Sequence, residues 1–165
     1  MLVRRDAALI IAADRRQLVV AKSLPEDEAA TLEVVKSAAE QQYTLGLAYP
    51  VNRVDASVAA DGYRDFVGPE ALERTAWRWM KESRDINLYH TDGTGGHATV
   101  VESYIYRGPD WTVDNTVIKA GDWMLGAVWD DHGWNLVKSG KLRGWSPEGG
   151  ARRRPATADQ LATLR

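Results

Sequence analysis

The block Gly121 to Gly150, GDWMLGAVWDDHGWNLVKSGKLRGWSPEGG, constrains the fold more than any other stretch of the chain. Trp123, Leu125, Ala127 and Trp129 recur at every second position, the period of a half-buried strand. Asp130 and Asp131 follow as N-cap candidates, and Trp134 to Lys138 reads as a helix of little more than one turn. Gly140 closes that helix, and Leu142 to Ser146 opens a new extended run. So short a crossover sets Ser146 at a defined place beside the preceding strand.

The rest of the chain reads as support for that unit. Tyr43 to Tyr49 is a strand stopped by Pro50, and Val51 to Gly68 is a polar, turn-rich loop. Pro69 to Arg84 is the strongest helix: proline at its first position, Glu70 and Glu73 early, Arg78 and Lys81 late. Ile86 to His90 is a short strand with Ile86, Leu88 and His90 on one face, and TDGTGG after it is a turn cluster. Ala98 to Tyr106 is a strand rich in β-branched and aromatic residues. Arg107 to Lys119 reads as loop with a short strand near Thr112, and Thr157 to Leu164 as a small terminal helix. Upstream, Leu24 to Gln42 has helical spacing, and the apolar runs Ala7–Ala13 and Leu18–Ala21 fit either a hairpin or a short helix and a strand. The expected fold is α+β, a mostly antiparallel, β-barrel-like core with flanking helices. Residues 1–41 form an N-terminal extension, as a pro-segment, an extra strand pair or a docking arm, and 42–165 the main domain with a basic tail.

Composition excludes some functions. With 165 residues the chain is the size of one domain, and most of its seven tryptophans, spread from Trp77 to Trp145, are core or core-rim candidates. The formal charge of −2 argues against a dedicated nucleic-acid binder, and the absence of cysteine excludes disulfides and thiolate metal sites. No apolar run reaches transmembrane length and the N-terminus lacks a secretory signal, so an intracellular, membrane-free protein is expected.

Three groups stand out for chemistry. His90 ends a strand at a glycine-rich loop, Glu102 interrupts an apolar strand, and Ser146 lies between glycines at 144 and 149. They can supply base, orienting carboxylate and nucleophile; each also has an ordinary reading, as surface histidine, exposed carboxylate and turn serine. A competing set, His90, Asp92, His97 and Glu102, has residue types suited to a divalent metal, but its spacing matches no common metal-binding signature.

The ordered series NLYH, VVESYI, GDWMLGAVW and LVKSGKLRGWSPEG resembles the XkdF-like phage serine proteases over about Gln42 to Gly150. That group is similar to phage prohead maturation proteases, which share a fold with the herpesvirus assemblin protease. LGLAYPVNRVDASVAADG and the Pro69 helix fit its opening strand, loop and helix. The resemblance implies a cofactor-free, metal-free serine endopeptidase with Ser146 as nucleophile and His90 as base. Glu102, in the ESYI motif, is preferred as third member over Glu148, which lies only two residues from Ser146. Pro147 has no N–H, so the amide after the nucleophile cannot serve an oxyanion hole. Gly149, Gly150, Arg152 and Arg153 are the expected donors, because the assemblin relatives use backbone and an arginine near a glycine. The resemblance further implies major capsid protein and scaffold protein as substrates, a homodimer, and action in the host cytoplasm inside the assembling procapsid. The alternatives are a non-catalytic procapsid scaffolding protein that keeps the fold, and a metal-dependent hydrolase.

Overall fold

The computed structural model of the chain describes residues 7–12, 18–22, 34–38, 41–56 and 61–164. The first strands are β1 (Ala7–Ala12), β2 (Leu18–Lys22), β3 (Val34–Ala38), β4 (Tyr43–Tyr49) and β5 (Arg64–Val67). Helix α1 (Pro69–Glu82) precedes β6 (Ile86–Leu88), β7 (Ala98–Ile105), β8 (Trp111–Val113), β9 (Thr116–Ile118) and β10 (Trp123–Trp129). Then come α2 (Asp131–Lys138), β11 (Gly144–Glu148), β12 (Ala151–Pro155) and α3 (Ala158–Ala162).

The alternation in β10 divides the core in two. β10 is an inner strand of the antiparallel sheet β3-β4-β10-β7, and side chains at successive positions of a strand leave opposite faces. Trp123, Leu125, Ala127 and Trp129 join the larger cluster, with Leu72, Ala76 and Trp79 of α1, Ile86 and Leu88 of β6, Trp134 of α2 and Trp145 of β11. Met124 faces the other way and packs with Leu45, Leu47 and Ile118. Tryptophans weld the larger cluster: Trp79 meets Trp123 edge-on at 5.6 Å, and Trp145 stacks on Trp129 at 5.5 Å and 10°. The Trp129 indole N–H is satisfied inside the protein, donating to Thr44 Oγ1 at 2.8 Å.

The smaller sheets are β12-β1-β5 and β11-β2-β6, and β8 and β9 form a hairpin. In both three-stranded sheets the central strand comes from the first 22 residues, running antiparallel to the C-terminal strand and parallel to the strand that flanks α1. Strands from residues 1–41 are thus built into sheets whose other members lie in 42–165.

The mostly antiparallel α+β class is as expected, but among the described residues the strands divide into four open sheets and none closes into a barrel. The reason lies in the pairing: β11 and β12 take β2 and β1 as partners instead of extending the central sheet. β1 and β2 are strands but not a hairpin, since each pairs elsewhere. Val34–Ala38 is a strand along the edge of β4 where a helix was expected; Val34 and Val35 are β-branched, and the rest of that expected helix upstream lies outside the described residues. The expected loop Val51–Gly68 contains β5, and the expected strand Ile86–His90 stops at Leu88, so His90 does not share the face of Ile86 and Leu88.

Asp122, completely buried just before β10, ties two segments together. Its Oδ1 accepts from the Val51 N–H at 2.9 Å and its Oδ2 from the Lys119 N–H at 2.8 Å. Asp122→Ala would leave both donors without this acceptor and should cost about 2 to 4 kcal/mol, seen as a lower urea midpoint at unchanged slope. Asp122→Asn, which keeps one oxygen, should fall between. An unmoved midpoint for Asp122→Ala would show that the carboxylate is dispensable to the fold.

Candidate active site

Ser146 sits at the centre of β11, half-buried, opposite Val20 of β2, and Asn87 of β6 is opposite Val20 on the other side. β11 is held in place by its neighbour Trp145, whose ring lies on Trp129 of the central sheet. Two residues after Ser146, the Glu148 carboxylate meets the imidazole of His90: Glu148 Oε2 is 3.0 Å from His90 Nδ1. Both side chains reach solvent, at 33% exposure for His90 and 53% for Glu148, so the pair can be approached from outside.

His90 is presented by an unusual turn. The Thr91 N–H donates to the Leu88 carbonyl at 3.0 Å, closing a turn whose central residues Tyr89 and His90 have φ of 58° and 54°. Two successive positive φ values are those of a type I′ turn, normally built from glycine or asparagine. Side chains in this region cost about 1 to 2 kcal/mol each, and such strain is found where geometry serves a site. Thr94 holds the turn: its hydroxyl accepts from the Leu88 N–H at 2.9 Å and lies 2.9 Å from the Leu88 carbonyl oxygen and 2.6 Å from that of Thr91.

Glu102 stands elsewhere. The β7–β10 register slips between Gly126 and Ala127, so that Gly126 faces Glu102 and Ala127 faces Val100. Val101 is the extra residue of this bulge, and it reverses the phase of the strand. Ala98 and Val100 pack on the large cluster with β6 and β11, whereas Glu102 and Tyr104 align with Gly126 and Met124 on the opposite face. There Glu102 adjoins Tyr43, whose hydroxyl is pushed up to about 12 by burial and by this carboxylate. Ser103, on the inner face, accepts a hydrogen bond from Trp123 Nε1 at 2.9 Å. The structure therefore joins His90 to Glu148, and places Glu102 across the sheet. Among the described residues no hydrogen bond links the Ser146 hydroxyl to His90.

The remaining expected groups are spread along β12 and the turn before it. Arg153 is committed to two carboxylates, with Nε 2.7 Å from Asp65 and its terminal nitrogens on Asp61. These partners raise the Arg153 guanidinium and lower Asp61. Arg152, Gly149 and Gly150 are exposed. The metal set is not assembled: among the described residues no three His, Cys, Asp or Glu come together to hold an ion. His97 instead bonds Asp130 at 2.8 Å and lies against His132, ring centres 4.6 Å apart. No helix among the described residues is long and apolar enough to cross a membrane.

Glu148 and Thr94 are the residues that sequence reasoning set aside or passed over. The signal for Glu148 was its shared strand parity with Ser146; that for Thr94 was a hydroxyl between two glycine turns.

A serine on a strand, with an imidazole–carboxylate pair anchored to the same strand, has the makings of an acyl-transfer site. The chain belongs to the family described as "Putative phage serine protease XkdF", which matches residues 31–154. It is 31% identical to the uncharacterized protein YqbD of Bacillus subtilis (strain 168) over 142 residues, 85% of this chain and 42% of YqbD. It is also 31% identical to the phage-like element PBSX protein XkdF of the same organism over 112 residues, 68% of this chain and 38% of that protein. The chain thus spans less than half the length of these curated relatives. No solved structure gives a significant match.

The Asp130 cap offers a test of local electrostatics. Its carboxylate accepts the Gly133 N–H at 2.7 Å and contacts His97, and these donors, Gly133 first, hold it below the usual carboxylate range. Its stabilisation is therefore complete above the unfolded-chain value and is lost as pH falls through the lower folded value. The Tm difference between the parent and Asp130→Ala should be largest at neutral pH and narrow in acid. A difference constant down to strongly acidic pH would show that the carboxylate's charge plays no part.

Proposed function

We propose that this chain is a serine endopeptidase of phage head maturation, with Ser146 as nucleophile and His90 as general base. The observation that carries the reading is the His90–Glu148 contact of 3.0 Å, made from the strand that bears Ser146. A carboxylate on Nδ1 fixes the tautomer and leaves Nε2 to accept the serine proton, and it stabilises the imidazolium that forms. Ser146 attacks the peptide carbonyl, His90 passes the proton to the leaving amine, and water then hydrolyses the acyl-enzyme. Approach of the imidazole to the hydroxyl accompanies substrate binding, as catalytic hydrogen bonds often tighten only in the complex.

Pro147 offers no amide, so the oxyanion is assigned to the Gly149–Gly150 backbone and Arg152, with Arg153, already held by Asp61 and Asp65, as its structural neighbour. Family membership and the relation to a phage-like element protein support the phage protease class; major capsid and scaffold proteins are the substrates we assign to it. On this reading the work is done inside the procapsid in the host cytoplasm, by a dimer and without a cofactor.

The experiment is cleavage of co-expressed capsid and scaffold proteins, followed by gel and mass spectrometry. Ser146→Ala and His90→Ala should each lower cleavage by about a thousandfold or more. Glu148→Gln should lower it by about a hundredfold or more, and Glu102→Gln by no more than a few-fold. The reverse order for the two glutamates would assign the third role to Glu102. Arg152→Ala should cost about a hundredfold, whereas Arg153→Ala should lower Tm with cleavage largely kept. Cleavage unaffected by Ser146→Ala would sink the serine protease reading, and no cleavage by the parent chain would favour a non-catalytic head component.

A further inference from the structure

Beside β11 lies a cavity of about 160 Å³, the space of one side chain. Its rim is Pro147, Glu148 and Gly149, the residues directly following Ser146, and its walls include Val67, Leu72 and Trp123. At one side stands Asp55, with the Tyr49 hydroxyl donating to its Oδ1 at 3.0 Å. A larger cavity of about 420 Å³, between the start of α1 and α3, shares no lining residue with it and touches neither Ser146 nor His90. Position singles out the smaller one.

Asp55 is only partly exposed, and among the described residues it forms no ion pair. Burial pushes its carboxyl up from the ordinary range, while the Tyr49 hydrogen bond pulls the other way. A charge held beside apolar walls is unfavourable; nearby Arg53 offsets it in part and Asp65 adds to it, and an entering cation would relieve it further. Glu148, on the same rim, is already paired with His90, which leaves Asp55 as the carboxylate for an incoming cation. Long cationic side chains suit such a place, since their methylene stems cover apolar surface while the head meets a carboxylate.

We propose that this cavity is the specificity pocket for a lysine or arginine side chain of the peptide substrate, with Asp55 as the residue that selects the charge. The assignment rests on the protease reading above for its meaning, but binding can be measured without turnover.

The full chain carrying Ser146→Ala is titrated with three blocked amino acids, the N-acetyl methylamides of lysine, norleucine and glutamate, and the Trp123 indole resonance is followed by NMR. The lysine compound should bind at least tenfold more tightly than norleucine, its uncharged counterpart, and glutamate should be weakest. Adding Asp55→Asn should erase the lysine preference, and Asp55→Glu should retain part of it. Equal binding of lysine and norleucine in the Ser146→Ala protein would overturn the proposal whatever the Asp55 variants do. In parallel the active chain is offered peptides differing only in lysine, norleucine or glutamate at one position. Cleavage without a cation preference would remove the pocket assignment and leave the protease standing. Lysine-selective binding with no cleavage of any peptide or co-expressed capsid protein would do the opposite.

Discussion

The stacking of Trp145 on Trp129 is the contact on which the candidate site depends. Of the residues of β11, Gly144, Ser146 and Pro147 offer little apolar area of their own. Trp145 gives the strand a large apolar anchor, and parallel rings 5.5 Å apart define its rotation as well as its distance. Trp129 is in turn immobilised by the hydrogen bond to Thr44, so the anchor reaches across β10 to β4. A serine on a short strand is thereby referred to the four-stranded central sheet.

The same cluster positions the other half of the site by another route. Ile86 and Leu88 dock β6 against the tryptophans, and the chain then leaves the core at Leu88 in a turn held by Thr94. His90 thus lies just beyond the end of a buried strand, close enough to inherit its rigidity and far enough out to meet Glu148 in solvent. The core supplies precision, and the charge chemistry stays at the edge, where desolvation is mild.

What could be read in advance was what depends on neighbours in sequence. The Trp123–Trp129 alternation, the Asp130 cap and the proline-led α1 all appear close to where local physics puts them. What could not be read depends on partners far along the chain. Val34–Ala38 becomes a strand through the free edge of β4, and the first two strands acquire meaning only as the middle members of sheets closed by residues after 144. The bulge at Val101 shows how a single inserted residue defeats parity: it moves Glu102 from the inner to the outer face, although nothing in VVESYI marks it. Glu148 looked too close to Ser146 to serve with it, yet a third strand-end brings His90 to the carboxylate. Asp55 carried no signal because its cavity is assembled from β4, β5, α1, β10, β11 and β12 together.

The left-handed pair Tyr89–His90 carries an evolutionary consequence. Glycine or asparagine would occupy either position with less backbone strain, so selection for heat resistance alone would drive both residues out of the turn. A lineage keeping histidine there accepts a less durable fold in return for where the imidazole stands, a conflict common at sites that work. A copy freed from selection at this turn should therefore exchange these two residues for glycine or asparagine before its buried tryptophans change.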